Sequence, residues 1–326
     1  MTSQEATGVS VFDEATAVTR RAAGEYEALP DQRFALVAPG GVAPPAVNGG
    51  ALIATVLRAV LDDAPHPYPV ATNASFLRVA RLEPAVIRVS WLKRGRTAAV
   101  ARATLEQAGQ PVIDLTVTTG DLPVPMGVGG AGPPAGQAAN GAVPAGAGGA
   151  VPTGASGGRA ARSADLSWTG EPPCIPAPED CVELGPWPGT VSAAGIEGYA
   201  RQVRLLFDPA TTGWRRGDPS GVPEMRGYFG LAQPRDPDAY LLALAVDGLP
   251  PVVFGLGATG WAPTVELSWY MRGVPCPGLL RVATRCRRVS AGWFDEESEV
   301  WDAAGQLVAQ SRQLARVGRG PLRARS

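Results

Sequence analysis

Two short motifs occur twice in the chain, in the same order and at nearly the same spacing. Residues 76–78 read FLR and residues 270–272 read YMR, while residues 108–112 read AGQPV and residues 304–308 read AGQLV. The spacing between the motifs differs by only two positions, which a small insertion or deletion in a hairpin explains. The repeat predicts that the chain of 326 residues contains two copies of one structural unit.

Each copy has the pattern of one helix followed by a strand meander. Apolar helices are predicted at Asn48–Asp63 and Asp236–Asp247, and both are apolar enough to be buried. Four runs rich in Val, Leu, Trp or Tyr lie between Trp261 and Val317, each bounded by turn residues. In the first copy the predicted strands are 68–80, 84–94, 97–107 and 110–120. The patterns predict an α+β fold in which each antiparallel sheet wraps around a central helix.

The composition separates the two copies and limits the partners. Residues 123–165 are rich in Gly, Ala and Pro, which predicts a flexible linker between an N-terminal unit, 1–122, and a C-terminal unit, 166–326.

The formal net charge of −1 gives no electrostatic case for binding nucleic acid or an anionic membrane. The N-terminus lacks a signal pattern, so a cytoplasmic location is expected. Exposed sheet edges favour a homo-oligomer.

The cysteines and the histidine limit the chemistry. The four cysteines, Cys174, Cys181, Cys276 and Cys286, form no CxxC motif, so neither a zinc site nor another metal or cofactor is expected. Free thiols are the main expectation, although Cys174 and Cys181 are close enough along a Pro-rich stretch to pair. The single histidine, His66, lies between two prolines in APHPYP and is predicted to be solvated rather than catalytic.

Two polar residues fall at predicted core positions. Asp236 as N-cap and Pro237 as the first helical residue would place Asp247 in the last turn of a buried helix. Burial raises the pKa of a carboxyl group, which makes Asp247 a candidate general base, although a solvated aspartate at the helix end is an alternative. Gln313 lies on the alternating face of the last strand that is otherwise small and mostly apolar. A buried amide requires hydrogen-bonding partners.

Charged residues cluster on two neighbouring predicted strands. The basic residues of the cluster are Arg281, Arg285, Arg287 and Arg288, and the acidic ones are Asp295, Glu296, Glu297 and Glu299. Cross-strand ion pairs on a solvated face are the simplest interpretation. Binding of coenzyme A phosphates by some of the arginines is the alternative, and the acidic neighbours argue against it.

The motifs in their order resemble a known family. An apolar helix opened by NGG, followed by FLR and a GR-containing hairpin, resembles the thioesterase-like hotdog superfamily. The segments VDGLPPVVF, TVELSW and WDAAGQLVAQSRQ are similar to the C-terminal half of acyl-CoA thioesterase II, a double-hotdog enzyme. The resemblance covers residues 10–122 and 185–317. It implies two fused hotdog units, an acyl-CoA substrate, and hydrolysis to a free acid and coenzyme A without a cofactor.

The resemblance also assigns roles to particular residues. The family positions water with an Asp, a Thr and a Gln, which correspond here to Asp247, Thr264 and Gln313. Alternation places Thr264 with Glu266, Ser268 and Tyr270 on a polar face that lines a site or meets solvent.

The glycines that open the first helix have two interpretations. The N–H groups after the N-cap Asn48, at Gly49 and Gly50, are candidates to polarise a thioester carbonyl. Close packing of the helix against the sheet explains the two glycines equally well.

The chain departs from the family pattern after the threonine. An Asp-His pair is common there in the family, whereas this chain has Glu266-Leu267. A hotdog hydratase is an alternative within the fold, but its chemistry usually relies on an Asp-His pair. A non-catalytic acyl-CoA-binding or assembly protein that retains the pocket is the alternative from another class.

Overall fold

The computed structural model describes residues 9–36, 46–123, 168–184 and 198–318. Apart from residue 123, the predicted linker lies outside the described residues, so the unit boundaries stay predictions. Within the described residues no helix is both long and apolar enough to cross a membrane.

Helices are few and mostly short. The α-helices are α1 (Val11–Ala15), α2 (Gly49–Asp62), α3 (Tyr199–Gln202) and α4 (Ala239–Ala245). Short 3₁₀ helices span Gln32–Phe34, Pro178–Asp180, Pro209–Thr211, Gly213–Arg216 and Val252–Leu256.

Strands are the main regular structure of the described chain. The strands of the first copy are β1 (Val18–Ala22), β2 (Glu25–Ala28), β3 (Ala35–Leu36), β4 (Ala46–Val47), β5 (Tyr68–Phe76), β6 (Ala85–Arg94), β7 (Ala98–Gln107) and β8 (Gln110–Gly120). Those of the second copy are β9 (Val182–Glu183), β10 (Val203–Phe207), β11 (Glu224–Leu231), β12 (Thr264–Met271), β13 (Leu280–Arg285), β14 (Val289–Ser290), β15 (Trp293–Trp301) and β16 (Leu307–Arg316).

One antiparallel sheet runs through both copies. Its strand order is β1-β2-β6-β7-β8-β5-β12-β16-β15-β13-β11-β10-β9, with β14 paired to β15. Outward from the β5–β12 junction, β8, β7, β6, β2 and β1 of the first copy correspond in order to β16, β15, β13, β11 and β10 of the second. The two halves are therefore related by an approximate twofold axis. At the junction Ala74 pairs with Leu267 and Thr72 with Trp269. The predicted α+β class and the two copies are confirmed.

The repeated motifs occupy equivalent positions in the two halves. The N–H of Arg78, in the first motif, donates to Val112 O at 3.1 Å, and the N–H of Arg272 donates to Val308 O at 2.8 Å. The β15–β16 hairpin encloses Asp302–Gln306, one residue more than the β7–β8 hairpin encloses between Glu106 and Pro111. The longer hairpin accounts for part of the difference in spacing between the motifs.

The second helix is shorter than the sequence predicts. Its N-cap is Asp238, whose carboxylate accepts the N–H groups of Tyr240 and Leu241 at 3.0 and 2.9 Å. The predicted N-cap Asp236 and first residue Pro237 both precede the helix, because Asp238 meets the second and third N–H groups directly. α2 begins after Asn48 as predicted, and the Asn48 Oδ1 accepts the Ala51 N–H at 3.0 Å.

The central helices of the two copies pack against each other at Gly50. A Cβ atom on Gly50 would lie 2.8 Å from Ala243 O and 2.9 Å from the Leu244 Cα. The absence of a side chain therefore lets the backbones of α2 and α4 approach closely. Close packing explains this glycine, and the neighbour is the other helix rather than the sheet.

At the start of α4 a network of ion pairs joins the two copies. Asp13 accepts from Arg58 at 2.6 Å and from Arg235 at 2.9 Å, and Arg235 also donates to Asp238 at 2.6 Å. Burial acts to raise the pKa of Asp13, but hydrogen bonds from both arginines lower it to about 2. The network fixes α1 against both central helices.

The charged strands are only partly solvated. Glu297 pairs with Arg285 at 3.4 Å, as expected for a solvated face. The prediction is wrong for Asp295 and Glu296, which are only 9% and 5% exposed, although Asp295 still pairs with Arg312 at 3.1 Å. Strand alternation places Glu296 on the inner face of β15 together with Phe294.

Other residue-level expectations give mixed results. On the face of β16 that carries Gln313, Ala309, Ser311 and Ala315 are buried as predicted, whereas Gln313 itself is only half-buried. The thiols of Cys174 and Cys181 are free, as are those of Cys276 and Cys286.

We expect Gly50→Ala to lower the free energy of unfolding by about 1–3 kcal/mol, because the added methyl group must push the two helices apart. Alanine is otherwise the better helix former, so the sign of the change reports the close contact. Gly273→Ala is the matched control, since its Cβ would meet nothing closer than the Val308 Cγ1 at 3.8 Å. Urea unfolding measures both, and equal stabilities would contradict the packing argument.

Candidate active site

A cavity of about 1120 Å³ opens between the two copies near the start of α2 and the end of α4. Its walls are mainly apolar and include Leu52, Phe76, Trp214, Phe254 and Phe294. The polar side chains that reach it include Asn48, Asp247, Thr264, Glu296 and Gln313. The three residues that the resemblance singles out therefore line one cavity.

Asp247 lies just beyond the end of α4 and is bound to the first turn of α2. Its Oδ2 accepts the Gly50 N–H at 2.9 Å, and the Asn48 Nδ2 donates to its backbone carbonyl at 3.3 Å. Burial raises the pKa of Asp247 to about 7, while the hydrogen bond from Gly50 acts to lower it. The carboxyl group is surrounded by protein but keeps part of its surface open to the cavity.

The other glycine that opens α2 makes room for this carboxyl group. A Cβ atom on Gly49 would lie 2.6 Å from the Asp247 Oδ2 and 2.9 Å from the Phe76 ring. Asn48 and Gly49 line the cavity, whereas Gly50 does not, and the Gly50 N–H donates to Asp247. Among the described residues no acceptor is hydrogen-bonded to the Gly49 N–H. At the start of α2, therefore, the Gly50 N–H is held by the carboxylate, and Gly49, whose N–H has no partner among the described residues, lines the cavity.

A β-bulge turns Thr264 into the cavity. Thr264 pairs with Ala315 on β16, but Glu266 pairs with Leu314, so Val265 is an extra residue in the ladder. Strict alternation predicts that Thr264 shares a face with Glu266, and the bulge makes that prediction wrong. The Thr264 Oγ1 donates to the Gln313 Oε1 at 3.1 Å.

Glu296 is a buried carboxyl group, although its charged neighbours in the sequence suggest a solvated strand face. Its Oε1 accepts the Val252 N–H at 2.7 Å, and its Oε2 accepts from the Gln313 Nε2. Burial raises the pKa of Glu296 to about 7, and the negative charge of Asp247 acts in the same direction. The sequence signal that identifies it is its alternation with Phe294 and Val300, two large residues on the inner face of β15.

His66 does not belong to the cavity wall and is not solvated. Its side chain is buried, and the Nε2 lies 3.0 Å from Gly95 O. The Nδ1 lies 3.6 Å from an Asp121 carboxylate oxygen. The prediction of a solvated histidine is therefore wrong, and its contacts fix a loop of the first copy.

Family comparisons agree with this architecture. The family model described as the acyl-CoA thioesterase N-terminal domain matches residues 38–120, and the C-terminal domain model matches residues 178–317. The chain belongs to the acyl-CoA thioesterase family. The two matches fall on the two copies, so the duplication corresponds to the two domains of the family.

Individual relatives support the assignment along most of the chain. An uncharacterised protein of Mycobacterium tuberculosis is 33% identical over 285 residues, which cover 84% of this chain and 86% of that protein. A candidate thioesterase II from Thermobifida fusca has a similar structure, with a TM-score of 0.72, 33% identity and coverage of 95% and 98% of the two chains.

The fold is also found in a more distant protein. A conserved protein of unknown function with a hot dog fold, from Alicyclobacillus acidocaldarius, has a TM-score of 0.70 at 20% identity, with coverage of 96% and 100%. The expected double-hotdog fold is confirmed.

His66→Ala is expected to leave turnover within a few-fold of the wild type, because the imidazole does not line the cavity. The same change should lower the free energy of unfolding by about 1–3 kcal/mol, since Gly95 O loses its partner. Steady-state kinetics and urea unfolding of one preparation separate the two effects. A thousand-fold loss of kcat in a folded variant would instead indicate histidine-based catalysis.

Proposed function

We propose that the protein hydrolyses an acyl-CoA thioester to a free acid and coenzyme A, with Asp247 as the general base. The observation that carries the proposal is a carboxyl group with a raised pKa at the wall of a large, mainly apolar cavity. A general base is most effective when its pKa lies near the working pH, and about 7 meets that condition. Membership of the acyl-CoA thioesterase family supports the substrate class.

In the proposed reaction a water molecule lies between Asp247, Thr264 and Gln313. Asp247 takes one proton as the water oxygen forms a bond to the thioester carbon, and the carbonyl electrons move to its oxygen. The tetrahedral intermediate then collapses: a lone pair of the oxyanion re-forms the C=O bond, the C–S bond breaks, and the sulfur leaves with the electron pair of the broken C–S bond. The proton held by Asp247 passes to the departing thiolate, which restores the carboxylate and releases the acid.

The start of α2 is the proposed site for the developing oxyanion. Gly49 lines the cavity at the positive end of the helix dipole, where its N–H would stabilise a negative charge. Gly50 contributes indirectly, because its N–H holds the Asp247 carboxylate. Asn48 caps the helix and ties it to the Asp247 backbone, so it keeps both groups in place.

The remaining parts of the substrate are assigned from the lining of the cavity. The acyl chain would pack against its apolar walls, which favour removal of hydrocarbon from water. Among the described residues, Arg78 and Arg215 are the arginines that line the cavity, which makes them the candidates for the coenzyme A phosphates. The charged cluster on β13 and β15 does not fit that role as well, because Glu297 already pairs with Arg285 and Arg287.

The alternative chemistries have less support. A hydratase that relies on histidine would need His66, which is buried elsewhere in the first copy. A non-catalytic binding protein has no need of a buried carboxyl group with a raised pKa, which is destabilising for the folded state when ionised. Turnover of a panel of acyl-CoA thioesters that differ in chain length tests the proposal directly.

Asp247→Asn keeps the shape of the side chain and removes the base, so kcat should fall by about 10²–10⁴. In the wild type, kcat/KM should rise with pH through about 7 as the Asp247 carboxyl loses its proton. Binding of a non-hydrolysable acyl-CoA analogue should change little, because the base acts mainly in the transition state. Full activity of the variant would exclude Asp247 as the base.

Asp247 and Gln313 are expected to act on the same water molecule. Gln313→Ala should therefore reduce kcat less than Asp247→Asn does, and the double variant should be scarcely slower than Asp247→Asn alone. A double-mutant cycle measured at one pH tests this, with circular dichroism to verify folding. Losses that multiply would indicate that the two side chains act independently.

A further inference from the structure

A buried carboxyl group stands behind the residues proposed to hold the water. We propose that Glu296 is a positioning residue, which sets the direction of the hydrogen bonds that run from Thr264 through Gln313 to β15. The inference deepens the proposed hydrolytic function, and its kinetic consequences rest on that function. The geometric basis is the continuous set of contacts from the Thr264 Oγ1 to the Gln313 Oε1, and from the Gln313 Nε2 to the Glu296 Oε2.

An ionised Glu296 allows only one orientation of the Gln313 amide. A carboxylate accepts hydrogen bonds and donates none, so the NH₂ end of the amide must face it. The amide oxygen then faces Thr264, whose hydroxyl group donates to it at 3.1 Å. The Val252 N–H holds the other oxygen of the carboxylate at 2.7 Å, so the carboxylate itself is fixed.

The direction of these bonds decides what Thr264 offers to a water molecule. Once its proton points to Gln313, the Thr264 oxygen presents lone pairs to the cavity and acts as an acceptor. Water can then donate one hydrogen to Thr264 and the other to Asp247. Its own lone pair is left free to attack the thioester carbon. With the amide reversed, the Thr264 hydroxyl group would donate to the water. That hydrogen bond would occupy the lone pair that the water needs for attack.

The first copy lacks this arrangement at the equivalent place. Glu296 and Gln313 are directly opposed on β15 and β16, and counting from the hairpin the equivalent pair on β7 and β8 is Ala101 and Val117. Both of these residues are fully buried. Two apolar side chains therefore satisfy the packing of the same unit, so packing alone does not require a carboxyl group and an amide.

The surroundings of Glu296 raise its pKa into the neutral range, so its charge changes near neutral pH. Burial, the charge of Asp247 at the end of α4, and the charge of Asp295 on the same strand all raise its pKa, which lies at about 7. The hydrogen bonds from Val252 and Gln313 act in the opposite direction. The ionised form, and with it the productive orientation of the amide, is therefore gained as pH rises through this range.

The first experiment compares Glu296→Gln with Glu297→Gln, the same chemical change one residue along the strand on its outer face. We expect Glu296→Gln to lower kcat by about 10–100-fold with little change in KM, because the amide and the hydroxyl group reverse. The Glu297 variant should match the wild type. The acid limb of the log kcat profile should be steeper than a slope of 1 in the wild type and return to about 1 in Glu296→Gln, since one of the two ionisations that raise kcat is lost.

The second experiment exchanges the two side chains in the variant E296Q/Q313E. A carboxylate at position 313 can only accept, so Thr264 again donates, while the amide at position 296 accepts from Val252 and donates to the carboxylate. We expect kcat to recover at least about tenfold relative to Glu296→Gln alone. An exchange variant no faster than Glu296→Gln would overturn the argument from bond direction.

The third experiment does not depend on turnover. In protein labelled with ¹⁵N-glutamine, the signal of the Gln313 side-chain NH₂ is identified by its loss in Gln313→Ala. We expect this signal to shift with pH around 7 in the wild type and in Asp247→Asn, and to stop shifting in Glu296→Gln. A signal that ignores the Glu296 substitution, or equal kcat values for the Glu296 and Glu297 variants, would overturn the inference.

The outcomes distinguish this inference from the proposed function. If the wild type hydrolyses none of a panel of acyl-CoA thioesters, the hydrolytic proposal fails, and the NMR titration still decides whether Glu296 orients the amide. If turnover is normal and the Gln313 signal is insensitive to Glu296, the hydrolytic proposal stands and the positioning role fails.

Discussion

The close approach of α2 and α4 at Gly50 determines where Asp247 lies. Because Gly50 has no side chain, the backbone of α2 comes within reach of Ala243 and Leu244, and the chain that leaves α4 passes over the first turn of α2. The Gly50 N–H then meets the Asp247 carboxylate at 2.9 Å. The cavity thus depends on a contact between the two copies, and neither copy builds its wall alone.

The same geometry explains why a buried carboxyl group is tolerated. The free energy of placing a carboxylate in an apolar environment is unfavourable, and the pKa of about 7 reflects it. A backbone N–H and the positive end of α2 offset part of the penalty. Glu296 is held in the same way by the Val252 N–H and Gln313. Each carboxyl group is therefore anchored by groups that do not titrate near neutral pH. The carboxyl group itself is then the group that gains or loses a proton in this range.

The sequence predicts the architecture better than it predicts the orientation of single side chains. Repeated motifs and apolar patterns predict both central helices and the strand meander, because burial imposes periodicity over many residues. Alternation predicts the wrong face for Thr264 because a bulge at Val265 shifts the ladder, and local alternation does not reveal bulges. The sequence does not identify Glu296, because its charged neighbours suggest a solvated face. The grouping of Asp247, Thr264 and Gln313 followed from resemblance to a family, since residues so far apart in the chain have no local pattern in common.

The ion pairs at the start of α4 have a consequence for how many ligands the chain can hold. In the approximate twofold relation between the copies, Asp238 caps α4 as Asn48 caps α2. At α4 the space beside the cap is taken by Arg58, Asp13 and Arg235 rather than by a carboxyl group facing a cavity. A symmetric dimer of one unit would present two identical pockets. Fusion of the copies removes that requirement, and among the described residues the helix start at Asn48 has a carboxyl group and a cavity beside it, whereas the helix start at Asp238 has ion pairs.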